Sequence, residues 1–119
     1  MMTDERIIVY EKPTCTTCRK LVTLLREAGV EYEAIDYLLE PISRDELVRL
    51  IALMGISVRD LLRAREAAYR ELELGREDRT DNELLDAMAT HPELVQRPIV
   101  VRGDRAVLAR PVERVKELL

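Results

Sequence analysis

Residues 7–25 read IIVYEKPTCTTCRKLVTLL, and within them an apolar strand pattern gives way to a helical pattern at two cysteines. The continuous apolar run from Ile7 to Tyr10 is typical of a strand that is covered on both faces. After the second cysteine, leucines recur at the spacing of one helix face. A strand that leads through a loop into a helix opens a βαβ unit, and the pair Cys15 and Cys18 at that point indicates thiol redox chemistry.

The position of the two cysteines suggests a role for each. A thiol at the first turn of a helix faces unpaired backbone N–H groups and the positive end of the helix dipole, which favour the thiolate. Cys15 is therefore the candidate nucleophile. Cys18 follows one helical turn later on the same face, within reach of an oxidised or derivatised first sulfur, so it is a candidate resolving thiol.

The pair is open to three other interpretations. Free cysteines are often small buried hydrophobes, but the strand-to-helix context disfavours that here. A zinc site needs about four ligands, and the only further histidine or cysteine is His91, which is better placed to end a helix; we expect no metal and no bound cofactor. A structural disulfide is disfavoured because Met1–Arg6 is polar and unlike a secretory signal, so we expect a cytoplasmic location with reduced thiols.

Length and composition limit the function classes. A chain of 119 residues is near the most common domain size, so residues 1–119 are expected to form a single domain. The net charge is −4, with 19 basic and 23 acidic residues interspersed, and there is no Trp or Phe. This balance argues against nucleic-acid and membrane-surface binding, and no apolar run is long enough to span a membrane.

The order of predicted elements indicates the fold class. These elements are a strand at 7–10, a helix at 16–28, a strand at 31–37, helices at 43–55, 58–62, 65–72 and 80–91, strands at 98–101 and 106–109, and a helix at 111–118. The order is that of a thioredoxin-like (glutaredoxin-like) α/β fold. A helical insertion separates the βαβ unit from the C-terminal ββα unit.

Six segments, in order along nearly the whole chain, resemble the arsenate reductase family of the glutaredoxin-linked type, which also contains the Spx transcription regulators. They are residues 10–15 (YEKPTC), 43–47 (SRDEL), 54–63 (MGISVRDLLR), 91–94 (HPEL), 97–101 (RPIVV) and 110–111 (RP). Since the match does not rest on a single motif, the chain is identified as a member, closest to the arsenate reductase branch.

The resemblance implies roles for individual residues. Cys15 occupies the position of the catalytic cysteine, and Arg63, Arg97 and Arg110 occupy the positions of three oxyanion-binding arginines. Pro98 is implied to be the cis-proline beside the cysteine. The chemistry agrees, because arsenate is a tetrahedral dianion near neutral pH and guanidinium groups bind two oxygens of such an anion at once.

The implied activity is reduction of arsenate to arsenite, with glutathione as co-substrate and glutaredoxin or thioredoxin as partner. This chain departs from well-known members at Glu11 and Lys12, where they carry His-Asn, and at Cys18, where they carry no cysteine. Cys15 and Cys18 together resemble the switch of Spx-like regulators, which bind RNA polymerase, but Arg110 argues against that alternative. A general thiol–disulfide oxidoreductase is the third hypothesis.

Overall fold

A computed structural model describes residues 6–119, and the predicted thioredoxin-like α/β fold is confirmed. These residues divide into two compact units. One, the sheet unit, comprises residues 6–40 together with Arg97–Leu119, and the other, the helical unit, comprises Pro41–Gln96. That the whole chain behaves as one domain stays a prediction.

The sheet unit holds a four-stranded mixed sheet in the order β2-β1-β3-β4. Its elements are β1 (Ile7–Glu11), α1 (Thr16–Glu27), β2 (Tyr32–Asp36), β3 (Ile99–Arg102), β4 (Arg105–Leu108) and a 3₁₀ helix (Val112–Leu118). Strand β1 is parallel to β2 and antiparallel to β3. Gly103 turns β3 into β4 with a φ of 62°, a conformation that glycine adopts without strain.

The alternation of side chains along β1 organises the core of the sheet unit. Ile7 and Val9 are buried in one apolar cluster with Leu21 and Leu25 of α1. Burying one leucine side chain contributes roughly 1.5–3 kcal/mol, so this face fixes α1 against the sheet. The same alternation puts Glu11 on that face at the end of β1, where it too is buried.

The helical unit contains α2 (Arg44–Met54), α3 (Ala67–Glu71) and α4 (Asp81–Thr90), with 3₁₀ helices at Arg59–Leu61 and Pro92–Leu94. The Ser43 hydroxyl caps α2, and Thr80 and Glu83 form a capping box at the start of α4. His91 is the C-cap of α4, as the sequence predicted.

The predicted elements differ from the observed ones mainly in length. The helix expected over 65–72 is reduced to α3, because Glu66 is extended with a ψ of 147°. The last helix has 3₁₀ geometry. No helix described within residues 6–119 combines the length and the apolar character required to cross a membrane.

Candidate functional site

The loop between β1 and α1 presents Cys15 at the N-terminus of the helix. The Cys15 N–H donates to the Lys12 carbonyl at 2.9 Å, which closes the turn, and the Arg19 N–H donates to the Cys15 carbonyl at 3.0 Å. Cys15 is the N-cap residue, with φ −78° and ψ 128°. Both thiols are free; Cys15 is half-buried, whereas Cys18 has no exposed surface.

The surroundings of Cys15 favour its thiolate. Burial raises the pKa of this thiol, but hydrogen bonds from the Cys18 backbone, the Cys18 thiol, Arg97 and the Thr17 backbone lower it to about 7. The N–H contributions are those expected of a helix N-terminus, and the Arg97 contribution is that of a fixed positive charge. Cys15 is therefore more readily ionised at neutral pH than an ordinary cysteine.

Cys18 has the opposite character. Burial raises the pKa of the Cys18 thiol to about 12, a backbone hydrogen bond from Lys12 opposes the shift, and the neighbouring Cys15 and Glu11 add to it. At neutral pH the Cys15 thiol is thus the one that ionises, and the Cys18 thiol stays protonated. A thiolate is the nucleophile in thiol chemistry, so Cys15 is the reactive member of the pair.

Arg97 is the buried cation next to Cys15. It is only 6% exposed, and its Nη1 donates to the Tyr37 hydroxyl at 3.3 Å. Burial lowers the pKa of Arg97, but the interactions with Tyr37 and Cys15 raise it above its usual value. Its Nε is buried and has no hydrogen-bond partner among the described residues. An unsatisfied guanidinium donor beside a thiolate is the arrangement expected where an anion binds.

Arg110 is brought to the same segment through the backbone. Its Nη1 donates to the Arg97 carbonyl at 2.8 Å, and the Ala109 N–H donates to the Pro98 carbonyl at 3.0 Å. The Arg97–Pro98 peptide bond is cis, the isomer that the family resemblance implied, and Arg110–Pro111 is cis as well. Within the sheet unit, the structure therefore connects Arg110 to the backbone of Arg97, and Arg97 to Cys15.

Arg63 belongs to the helical unit. Its N–H donates to the Leu94 carbonyl at 2.7 Å, next to a bridge that pairs Leu62 with Val95. Its side chain is 18% exposed, its Nε lies 3.9 Å from Glu66, and that Nε makes no hydrogen bond within residues 6–119. The role of Arg63 in binding an oxyanion stays a prediction.

Two further residues contribute to the surroundings of the cysteines. Tyr37 has no exposed surface, and its hydroxyl accepts a hydrogen bond from Arg97; this role was not predicted from the sequence. Glu11 is 9% exposed, its Oε2 is buried without a hydrogen-bond partner in the described part of the chain, and burial together with Asp36 raises its pKa. The buried position of Glu11 was readable from the alternation of β1.

A metal site is not indicated. Within residues 6–119, no three His, Cys, Asp or Glu side chains gather in a group that could hold an ion. The groups available for chemistry at the site are therefore the Cys15 thiolate, the buried Cys18 thiol, the buried Glu11 carboxyl group and the guanidinium donors.

Known proteins resemble this chain over most of its length. The model of the ArsC family matches residues 10–118. The arsenate reductase of Escherichia coli K12 is 48% identical over 113 residues, which cover 95% of this chain and 80% of that protein. The solved structure of an arsenate reductase from Vibrio cholerae superposes with a TM-score of 0.92 at 38% identity, covering 98% of this chain and 100% of that one. An uncharacterized Escherichia coli K12 protein is 36% identical over 97% of this chain and 98% of its own length.

Proposed function

This chain belongs to the ArsC family, and we propose that it reduces arsenate to arsenite with Cys15 as the nucleophile and glutathione, through glutaredoxin, as the reductant. One observation carries the proposal: Cys15, whose pKa is lowered to about 7, interacts with the buried Arg97, whose Nε is left without a hydrogen-bond partner among the described residues. A tetrahedral oxyanion bound there accepts the free N–H and brings its central atom to the thiolate.

The reaction begins with nucleophilic attack. The Cys15 thiolate attacks arsenic, an As–S bond forms, and one oxygen leaves as water after protonation. An external thiol then attacks the adduct, arsenic accepts two electrons, and the two sulfurs are oxidised to a disulfide. Overall, arsenate and two thiols give arsenite, one disulfide and one water. Arsenic carries the redox change, so no bound cofactor is required.

The arginines have separate tasks in this proposal. Arg97 binds the oxyanion and stabilises the Cys15 thiolate. Arg110 supports the Arg97 backbone through one nitrogen and keeps its other donors for the substrate. Arg63 supplies a third guanidinium, as the family resemblance implies. Three fixed charges offset the repulsion between a dianion and a thiolate.

The reductant is assigned from the family branch and from the exposure of the sulfurs. Cys15 is partly exposed, so an external thiol reaches it, whereas Cys18 has no exposed surface. Glutathione therefore resolves the adduct on Cys15 directly, and glutaredoxin reduces the mixed disulfide. Thioredoxin is the alternative partner.

The test is arsenate-dependent thiol oxidation, measured in parallel with glutathione plus glutaredoxin and with thioredoxin plus its reductase. We expect two thiols oxidised per arsenite formed, in the glutathione arm, and no reaction with Cys15→Ser. Because the thiolate is the attacking form, kcat/KM should rise with pH and level off above a midpoint of about 7.

The outcomes separate the hypotheses. Turnover only in the thioredoxin arm would overturn the assignment of the reductant and leave the reductase assignment intact. Reduction of a small disulfide without any response to arsenate would identify a general thiol–disulfide oxidoreductase. No turnover of either substrate, with a reversible disulfide between Cys15 and Cys18, would favour an Spx-like switch.

A further inference from the structure

A cavity lies between the end of β1 and α1, within the sheet unit; we call it the α1 cavity. Its volume is about 300 Å³, which is at the lower end of the range for small-molecule sites. Its lining consists of Glu11, Pro13, Arg19, Val22, Thr23 and Arg26. The α1 cavity therefore has the size of a small-molecule site and combines charged, hydroxyl and apolar side chains.

The lining residues on α1 form a stripe that begins at Cys15. Three of them, Arg19, Val22 and Arg26, come four, seven and eleven residues after the nucleophile, which is the spacing of a single helix face. The Arg19 N–H donates to the Cys15 carbonyl at 3.0 Å. Pro13, also in the lining, belongs to the loop that ends at Cys15. A molecule in the α1 cavity therefore lies along the helix with one end next to the nucleophile.

Two guanidinium groups of the α1 cavity lack an acidic partner. Arg19 and Arg26 are exposed, and neither side chain makes an ion pair or a hydrogen bond within residues 6–119. Other exposed arginines, such as Arg76 and Arg114, are paired with carboxylates. The seven-residue separation places the two unpaired positions about 10.5 Å apart along the helix axis. The two ends of an extended tripeptide are separated by a similar distance, about 10 Å.

Glu11 is the buried polar group of the α1 cavity. It is 9% exposed, and its Oε2 is buried without a hydrogen-bond partner among the described residues. Asp36 lies opposite Glu11 in the register of β1 and β2. Burial and the charge of Asp36 raise the pKa of Glu11, because both disfavour its anion. A ligand ammonium group would supply the missing donor and the positive charge that offsets both effects.

We propose that the α1 cavity binds glutathione, whose ammonium group donates to Glu11 and whose two carboxylates accept from Arg19 and Arg26. This inference rests on the proposed function, because it locates the reductant named there. The charges match group by group, since glutathione carries one ammonium and two carboxylates at neutral pH. Bound glutathione is held next to Cys15, so its thiol attacks the arsenic adduct from a fixed position and not from solution.

The first experiment measures binding without redox chemistry. S-methylglutathione, whose thiol is blocked, is titrated into the full chain by calorimetry in the absence of arsenate. In Glu11→Gln we expect Kd to rise about ten- to a hundredfold, through loss of a charge-assisted interaction at a buried group. In Arg19→Gln and Arg26→Gln we expect a rise of about two- to fivefold each, because these side chains are exposed. Lys20→Gln removes an exposed cation of α1 outside the lining and should leave Kd unchanged.

A change in the ligand tests the contact with Glu11 directly. In a second analogue, also S-methylated, a glutaryl group replaces the γ-glutamyl residue, so that only the ammonium group is lost. The wild type should bind this analogue more weakly than S-methylglutathione. Glu11→Gln should bind the two ligands about equally, because the partner of the ammonium group is already missing.

The second experiment separates the two substrates during turnover. In Arg19→Gln and Arg26→Gln, the KM for glutathione should rise about two- to fivefold, whereas the KM for arsenate should stay at the wild-type value. Lys20→Gln should change neither. A general effect on folding or on Cys15 would change both KM values or kcat, so the split between the substrates identifies the glutathione site.

Four results would overturn this inference. They are binding of S-methylglutathione that is too weak to measure in the wild type, equal Kd values in the two arginine variants and Lys20→Gln, and an ammonium effect as large in Glu11→Gln as in the wild type. The fourth is a raised KM for glutaredoxin, and not for glutathione, in the arginine variants, because this surface would then dock the partner protein. The calorimetric arm needs no arsenate, so failure of arsenate turnover alone would count against the proposed function and not against the site.

Discussion

Helices α1 and α4 begin with interacting side chains at the same two positions, the N-cap residue and the third residue of the helix, but with different chemistry. In α4 the Glu83 N–H donates to the Thr80 hydroxyl at 3.2 Å, and the Thr80 N–H donates to the Glu83 carboxylate at 3.0 Å. In α1 the two positions are Cys15 and Cys18.

The N-terminus of a helix stabilises a structural charge in α4 and a reactive group in α1. In α4 the negative charge stays on a carboxylate whose pKa is lowered by the Thr80 backbone and by Arg79, so it is a fixed structural charge. In α1 the same end of the helix stabilises a thiolate, which is a nucleophile. One local arrangement thus serves stability in α4 and reactivity in α1.

The largest expected effect comes from giving α1 the kind of cap that α4 has. Cys15→Ser keeps a side-chain acceptor at the N-cap but removes the ionisable thiol, because a serine hydroxyl stays protonated at neutral pH. Arsenate turnover should fall by at least about 10³-fold. Urea unfolding should show stability unchanged or raised, because serine is a preferred N-cap residue. Retained turnover would show that Cys15 is not the nucleophile.

The next effect concerns Arg97, the buried arginine beside the N-cap residue of α1. Among the described residues, no buried arginine lies at the N-terminus of α4. Arg97→Ala should lower kcat/KM about ten- to a hundredfold, through loss of a charge-assisted hydrogen bond worth about 1.5–3 kcal/mol, and raise the pKa of Cys15. Initial rates over a range of arsenate concentrations measure it. Arg114→Ala, a surface arginine paired with Glu117 at 3.5 Å, is the control. Equal losses in both variants would remove the special role of Arg97.

A smaller effect is expected from breaking the cap of α4. Thr80→Ala removes the acceptor for the Glu83 N–H and should cost about 1 kcal/mol of unfolding free energy. The measurement is the urea midpoint, with kcat determined on the same sample. We expect kcat to be unchanged, so a fall in activity larger than the fall in folded protein would contradict the division between structural and reactive helix ends.

The smallest effect concerns the carboxyl groups near the two helix ends. Glu83 is favoured as an anion, whereas burial and Asp36 raise the pKa of Glu11. Because the pKa of Glu11 is higher in the folded protein than its ordinary value of 4.5, protonated Glu11 favours the folded state at low pH. This contribution to the free energy of unfolding is lost as the pH rises through the pKa of the folded state. Glu11→Gln should therefore match the wild type near pH 4 and be slightly more stable at pH 7, by urea unfolding. If the stability gained over the wild type by Glu11→Gln were larger at pH 4 than at pH 7, the direction of the pKa shift of Glu11 would be wrong.

The sequence predicted the fold well because local rules determine most of its elements. The apolar run of β1 and the leucine spacing of α1 each act over a few residues, and both elements are present. The predicted length of α3 was wrong, and the last helix has 3₁₀ geometry, because packing, and not propensity, decides the form of such short segments.

The sequence predicted the candidate site only in part. The position of Cys15 follows from the strand-to-helix junction, and the burial of Glu11 was readable from the two-residue period of β1. Tyr37 was missed because its partner, Arg97, lies on a distant segment, and no local pattern shows that a tyrosine hydroxyl finds a guanidinium. The arginines were selected by family resemblance alone, since arginines are numerous and mostly exposed in any sequence of this composition.

The discontinuity of the sheet unit has a consequence for biosynthesis. Cys15 precedes Arg97 by the whole of the helical unit, Pro41–Gln96. A chain emerging from the ribosome therefore exposes the cysteine well before the arginine and β3 have been made. During that interval Cys15 is a more weakly acidic sulfhydryl, and sulfhydryls are oxidised slowly compared with thiolates. The contribution of Arg97 to the acidity of Cys15 is therefore available only after Pro41–Gln96 has been synthesised.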